Sequence, residues 1–502
     1  MIIAHDLGTT GNKATLVDSA GTIVAAVTVH YGTDFSSGGK AEQNPEDWWK
    51  ALCSATRTLL ANSGVKAVDI AGVSFSGQMM GAVLLDAAGI PVRPAIIWAD
   101  TRSSVQAAQL TERIGLEEAY RITGHRLNPT YSISKVMWVR DNEPEVYSRA
   151  RHLVLAKDYM IFRLTGEILT DPSDASSTNA FDQGAHRWSE DIISATGLST
   201  DLFPVIVESA TVAGTISAEA ASACGLLAGT PVVVGGGDGP MAALGSGIVD
   251  EASGPYAYLG SSSWVSLSSD RPLHDPLMRT MTFNHVIPGR YVPTATMQAG
   301  GASLQWIADV LAPDERGRFE RLLGGAAEVA ASDDGLFFLP HLLGERSPYW
   351  DPNVRATFVG LARHHGQEHL TRAVVEGVAF NLHTCLKAFR ENGAKTDRVD
   401  VIGGAANSIP LLQILSDVWG VSVRRRALVD EATALGAAIV GGVGVGLFES
   451  FDIASTLSTY TAELEPDEAA HRRYENEHPR FIDAYRRLES WFSTSDEVVV
   501  GR

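Results

Sequence analysis

Ile2-Ile3-Ala4-His5-Asp6-Leu7-Gly8-Thr9-Thr10-Gly11-Asn12-Lys13-Ala14-Thr15-Leu16-Val17 opens the chain, and its punctuation decides the fold class. Ile2–Asp6 reads as an apolar strand ending on an acid, and Gly8–Gly11 as a turn. Lys13–Val17 is a second strand, Asp18-Ser19-Ala20-Gly21 a second turn and Thr22–Val29 a third strand. Asn44-Pro45-Glu46-Asp47 then starts a helix: Asn as N-cap, Pro at the first position, acids in the first turn. Strands followed by helices of this kind make the chain α/β. The acid at the strand end and the hydroxyl-rich turn also suit phosphate. Glycine lets backbone N–H groups approach phosphate oxygens, the hydroxyls of Thr9 and Thr10 add donors, Lys13 adds charge, and Asp6 can hold Mg²⁺. Taken alone, the same residues equally suit an ordinary hairpin with a solvated Asp and a surface Lys.

Moving outward, the plan recurs. Pro255–Leu259, Gly260-Ser261-Ser262-Ser263 and Trp264–Leu267 repeat strand, small-residue turn, strand. Pro231–Val234 runs into Gly235-Gly236-Gly237-Asp238, with a helix through Met241–Leu244. Val399–Ile402 runs into Gly403-Gly404-Ala405-Ala406-Asn407, with a helix from Pro410 to Trp419, and echoes Val232–Asp238. The matching order predicts two similar lobes facing one cleft. Ile70–Ser76 reads as a buried strand, and Val83–Asp86 and Ile90–Arg93 as strands around a turn. Ser103–Thr111, Ile133–Arg140 and an amphipathic Tyr474–Phe492 read as helices.

Composition bounds the function. The chain has 502 residues, enough for two to four domains, and its 40 basic and 59 acidic residues give a net charge of −19. That disfavours a general nucleic-acid binder or an anionic membrane surface. The uncharged run Ala432–Phe448 is rich in glycine and reads as a buried helix, not a membrane span. Cys53, Cys224 and Cys385 lack metal-ligand spacing and read as buried thiols of a cytoplasmic protein. The N-terminus lacks the basic segment of a signal peptide. None of the 14 histidines forms a spaced metal set, and GxSxG is absent.

Four further groups can carry chemistry. Asp238, bare of neighbouring side chains, can be a general base, or equally a helix cap. Gly403, Gly404 and Asn407 can take a base or ribose. Gln78, Asp100 and Arg102 can bind polyol hydroxyls with Trp98 as an apolar wall, though Asp100 and Arg102 also suit a structural ion pair. Met79 and Met80 suit core filling.

In order along the chain, these pieces resemble the FGGY family of carbohydrate kinases, particularly its xylulokinase members. Further markers are Lys157-Asp158-Tyr159, Gly344-Glu345-Arg346-Ser347-Pro348, Ala356–Leu361, Ala373–Glu376 and Ala434–Ala438. The resemblance implies two actin-like, ribonuclease-H-like lobes around a central ATP and sugar cleft: 1–247 binding sugar and 248–502 binding nucleotide. It implies Asp238 as catalytic base, Asp6 and Asp238 at Mg²⁺, and Gly8, Thr9, Thr10, Lys13, Gly260, Ser261 and Ser262 at phosphates. It also implies Gly403, Gly404 and Asn407 near adenosine, and Gln78, Met79, Met80, Trp98, Asp100 and Arg102 around the sugar. The activity implied is ATP-dependent phosphorylation of a ketopentose such as D-xylulose to D-xylulose 5-phosphate. Alternatives are another ketose, a polyol, a sugar acid, or a non-catalytic actin-like sensor. A small sugar and ATP are the partners, with a homodimer as a further possibility.

Three departures stand out. Met80 replaces the His of the usual Gln-Met-His-Gly, Ser263 replaces the last Gly of the usual Gly-Thr-Ser-Gly, and His5 replaces an apolar residue before Asp6.

Overall fold

Strand pairing sorts the chain into two large sheets in the computed structural model, which describes residues 1–331, 335–427 and 431–493. The first sheet contains β1 (Ile2–Leu7), β2 (Gly11–Val17), β3 (Ile23–His30), β4 (Gly72–Gly77), β5 (Val212–Thr215) and β6 (Pro231–Val233), in the order β5-β6-β4-β1-β2-β3. β1, β2 and β3 form an antiparallel meander, whereas β4 and β6 join in parallel. The second sheet contains β7 (Tyr256–Leu259), β8 (Ser263–Ser266), β9 (Met281–Asn284), β10 (Tyr291–Met297), β11 (Arg398–Ile402), β12 (Ser422–Arg426) and β13 (Tyr460–Leu464). Its order is β9-β10-β8-β7-β11-β12-β13. Here too a meander, β7-β8-β10, is extended by two parallel strands, β11 and β12. The two sheets therefore share one plan, that of the actin-like, ribonuclease-H-like lobe, and the predicted fold class holds.

The equivalences correct one expectation. β11 lies parallel to β7 as β4 lies parallel to β1, so Val399–Ile402 matches Gly72–Gly77 and not Val232–Asp238. The counterpart of β6 is β12. Glycine ends β4 and stands within two residues of the end of β6 and β11, so letters alone could not say which partner each strand takes. Ile90–Arg93 is also not a strand: only Pro91 makes an isolated bridge, to Leu85.

Helices cover both sheets. They include α1 (Pro45–Ser63), α2 (Ala156–Thr165), α3 (Asp238–Gly245), α4 (Gly301–Leu311), α5 (Gln367–Glu391), α6 (Ile409–Trp419), α7 (Ala432–Gly444) and α8 (Glu468–Ser493). α1 starts as its sequence predicts, Asn44 accepting from the Glu46 amide with Pro45 in the first turn. One apolar cluster lies under the first sheet, with Trp48, Leu52 and Phe75. Another lies under the second, with Phe380, Trp419 and Phe481.

The helices that follow β6 and β12, α3 and α7, cross where the two halves meet. A Cβ on Gly245 would fall 1.7 Å from the Ala432 carbonyl, and one on Gly436 2.1 Å from that of Met241. Glycine is required at both positions because the backbones touch. α7 also buries Leu435 and Ile439 against Ile2, Ala4 and Val233 of the first sheet, as its apolar run predicts. Among the described residues no helix is long and apolar enough to cross a membrane. The cysteines are free. Cys224 and Cys385 are buried, but Cys53 is only half-buried, contrary to expectation, because it lies at the edge of the buried face of α1.

Candidate active site

Asp6 stands at the end of β1, in register with Lys13 on β2 and Ser76 on β4. Burial raises its carboxyl to about 6, against the pull of Ser76 and Lys13. The turn beyond it closes with the Gly8 amide donating to the Gly11 carbonyl at 3.0 Å, and Tyr31 Oη donates to the Gly8 carbonyl at 2.6 Å. Lys13 Nζ reaches Glu431 Oε1, just before α7, at 3.5 Å.

Asp238 enters the same space from β6. Gly235 turns the chain at φ +73°, where a Cβ would meet the Phe75 carbonyl at 1.9 Å. Gly236 and Gly237 then pair in parallel with Ser76 and Gly77. Asp238 is the first residue of α3, and the cap position before it belongs to Gly237, so the capping alternative falls away. Its Oδ1 accepts from the Gly239 amide at 2.8 Å. Burial first, and the charge of Asp6 second, raise its carboxyl to about 7. A carboxyl that titrates near neutrality can take a proton from a hydroxyl and later release it.

Both acids line one cavity of about 410 Å³ between the two sheets. Gly8, Met79, Met80, Trp98 and Ser262 line it as well, so the structure brings together much of the predicted set. Met80 sits at φ +63°. Its amide donates to Ser177 Oγ at 3.1 Å and its carbonyl accepts from the buried Lys135 Nζ at 2.9 Å, so both polar groups of this residue are fixed. Thr9 Oγ1 accepts from Trp98 Nε1 at 2.8 Å, joining the phosphate-type turn to the apolar wall.

Gln78, Asp100 and Arg102 stand behind the wall. Gln78 Nε2 donates to Gln43 Oε1 at 2.8 Å. Asp100 is wholly buried and accepts from the Ala41 amide at 2.6 Å and from Arg102 Nη2 at 2.6 Å, while Arg102 also pairs with Glu42 at 2.6 Å. Asp100 and Arg102 therefore form the buried ion pair that their chemistry also allows, and neither is among the residues that line the cavity. The second half supplies further wall residues, unassigned from the letters alone: Tyr258 and Trp264, stacked at 4.1 Å, Phe283, and Arg346. Of these only Arg346 falls within a family marker, Gly344–Pro348. Its guanidinium lies 5.8 Å from the Trp98 ring centre.

The second small-residue turn rests on α4. The Gly301 and Ala302 amides donate to the Gly260 and Ser261 carbonyls at 2.7 and 3.0 Å. Ser263, the departure here, is buried, and Gly300 makes room for it: a Cβ on Gly300 would fall 2.0 Å from Ser263 Oγ. Gly403 follows β11 beside Leu259 at φ +91°. Gly404 and Asn407 are exposed beyond it, outside the 410 Å³ cavity. His5 is buried under the site, with Nδ1 3.1 Å from Asn12 Nδ2 and Nε2 3.3 Å from Thr56 Oγ1. Burial lowers it to about 4, so it is a neutral tie between β1, β2 and α1.

Mg²⁺ fits these donors. Two hard carboxylates face one cavity with their proton affinities raised, and a cation between them would relieve that. Among the described residues no group of three or more His, Cys, Asp or Glu could hold a metal alone, so phosphate oxygens or water would complete the shell.

Comparison with known proteins agrees with this layout. Residues 1–245 match the N-terminal domain, and residues 256–445 the C-terminal domain, of the FGGY family of carbohydrate kinases. The chain is 35% identical over 451 residues to the xylulose kinase of Bacillus subtilis (strain 168), covering 90% of this chain and 89% of that one. A solved structure described as a "xyloylose kinase" from Brucella ovis superposes with a TM-score of 0.90 at 31% identity, covering 97% and 99% of the two chains. A gluconate kinase from Lactobacillus acidophilus superposes at 0.93 with 26% identity, covering 98% and 99%. The shared lobe plan, the paired carboxylates and these likenesses have one explanation: the chain belongs to the FGGY family of carbohydrate kinases and uses ATP to phosphorylate a small sugar.

Proposed function

We propose that the protein phosphorylates D-xylulose to D-xylulose 5-phosphate, with Asp238 as the general base. The observation that carries the reading is Asp238 itself: it lines the cavity beside Asp6, its Oδ1 is aimed by the Gly239 amide, and burial raises its carboxyl to about 7. Asp238 takes the proton of the terminal sugar hydroxyl as that oxygen attacks the γ-phosphorus and ADP leaves. The turns Gly8–Lys13 and Gly260–Ser262 hold phosphate oxygens through their amides and hydroxyls. Gly403, Gly404 and Asn407 hold adenosine, where the exposed Gly404 leaves bare backbone. Asp6 and Asp238 would hold Mg²⁺, which supplies charge neutralisation for the transferring group. Met79, Met80 and Trp98 shape the sugar pocket, and Gln78, Asp100 and Arg102 support it from behind. In this reading 1–247 binds sugar, 248–502 binds nucleotide, and the enzyme is cytoplasmic.

A second substrate class has one observation in its favour. Arg346 is the cation among the described cavity-lining residues, and a guanidinium pairs with a carboxylate, as a sugar acid would present. The test is ADP release across D-xylulose, other pentuloses, polyols and D-gluconate, with the phosphorylated product identified by mass spectrometry. D-xylulose giving the highest kcat/KM supports the reading, and D-gluconate doing so replaces it with the second. ADP release with no phosphorylated sugar from any candidate contradicts both.

A further inference from the structure

Asp171-Pro172-Ser173-Asp174-Ala175-Ser176-Ser177-Thr178 forms a short helix, Pro172–Ala175, and one further turn, every residue buried. Three of its hydroxyls share a pattern. Ser173 Oγ donates to Asp171 Oδ2 at 2.5 Å, Ser176 Oγ to the Ser173 carbonyl at 2.7 Å and Ser177 Oγ to the Asp174 carbonyl at 2.7 Å. A hydroxyl has one proton, so each is left with lone pairs facing outward. Each accepts one amide from a residue that lines the cavity or adjoins one that does. Gly237 N–H donates to Ser173 at 3.0 Å, Asn284 N–H to Ser176 at 3.1 Å and Met80 N–H to Ser177 at 3.1 Å.

Those amides stand beside the groups that matter. Gly237 precedes Asp238, Met80 lines the cavity in a left-handed conformation, and Asn284 follows Phe283 on the second sheet. The segment is anchored from beneath. Lys157 Nζ lies 2.6 Å from Asp158, 3.0 Å from Asp171 and 3.5 Å from Asp174, all wholly buried, and Ser209 Oγ donates to Asp171 Oδ2 at 2.7 Å. A Cβ on Gly236 would fall 2.6 Å from Ser173 Oγ, so nothing separates the serine from the strand it holds.

We propose that Ser173, Ser176 and Ser177 are positioning residues, each setting one wall of the cavity through the amide it accepts, and that Ser173 sets the base. This rests on the reading of Asp238 as base. Near-attack geometry is sensitive to displacements of about 1 Å, which can cost ~100-fold in rate.

The test compares Ser173→Ala, Ser177→Ala and Asp238→Asn in the full-length enzyme, by steady-state kinetics for sugar and ATP and by thermal midpoint. Ser173→Ala is expected to lower kcat at least about tenfold with both KM values within about twofold. Ser177→Ala is expected to raise the sugar KM severalfold with kcat little changed, because it releases Met80 and leaves Asp238 held. Unchanged kcat in Ser173→Ala overturns the proposal, as does the same kinetic change in both serine variants alongside a lower midpoint. Should Ser173→Ala fail to fold, hydrogen exchange at the Gly237 amide of the wild type decides. Protection exceeding that of the Gly404 amide in its exposed turn supports the proposal, and equal exchange overturns it. Asp238→Asn reports on the underlying reading alone: near-normal turnover there removes the base, whatever the serines do.

Discussion

Replacing Asp238 with Asn should stabilise the protein while destroying its activity, and the two effects have one source. Asp238 has a proton affinity raised from the ordinary 3.8 to about 7, by burial and then by the charge of Asp6. A raised folded-state value means that the native state binds the proton more tightly than the unfolded chain does. Stability from this group is fully present below about pH 4 and is lost as pH rises through about 7. The full shift corresponds to about 4 kcal/mol at pH 8. Asp238 keeps partial contact with the cleft, where water screens it, so about 2 kcal/mol is the expected cost of its charge. Asn keeps an oxygen for the Gly239 amide and carries no charge. For a lobe of about 250 residues, 2 kcal/mol raises the midpoint by about 4–8 °C. Calorimetry of ligand-free wild type and Asp238→Asn at pH 5 and pH 8 reads the difference directly. The variant should melt higher at pH 8, with the gap shrinking at pH 5. An equal midpoint at pH 8, or a gap independent of pH, refutes the account of Asp238 as a strained carboxylate.

Three other outcomes follow from the site. For wild type, kcat/KM should rise with pH and level off by about 7, earlier when Mg²⁺ lowers the proton affinity of Asp238, because the base must be deprotonated to accept the sugar proton. A flat profile from pH 5 to 8 contradicts this. Met80→His should raise the ratio of D-xylulose to other pentulose turnover, since His tolerates the left-handed conformation and adds a polar atom at the wall. An unchanged ratio means that position 80 only fills space. Arg102→Met should cost about 3–5 kcal/mol by leaving Asp100 buried without its partner, read as a lowered denaturation midpoint. A neutral effect would contradict the ion pair as a structural tie.

Much of this was legible in the sequence because the signals are local. A strand ending in Asp6, a small hydroxyl-rich turn and a glycine run before Asp238 are short motifs, and each sits where its letters put it. What stayed hidden depends on pairing across the fold. Val399–Ile402 resembles Val232–Val234 in its letters, and only its parallel partner, Tyr256–Leu259, tells the two strands apart. The Ser173–Gly237 bond spans 64 residues, and no spacing rule anticipates it. Asp100 and Arg102 illustrate the reverse case. They are sequence neighbours with sugar-binding chemistry, and the fold turns that chemistry inward, on each other and on Glu42. Tyr258 and Trp264 read as ordinary strand residues and Phe283 falls outside every predicted strand, since an aromatic facing a cleft and one facing a core have the same letter.

The most direct test of the central claim is a product analysis. Purified protein is incubated with ATP, Mg²⁺ and D-xylulose, alongside Asp238→Asn, and phosphorylated sugar and ADP are quantified by ³¹P NMR. The account expects the wild type to form a pentulose monophosphate in step with ADP, and the variant to form it slower by about 100-fold or more. ADP released without sugar phosphate, or near-equal rates in the two proteins, would contradict it.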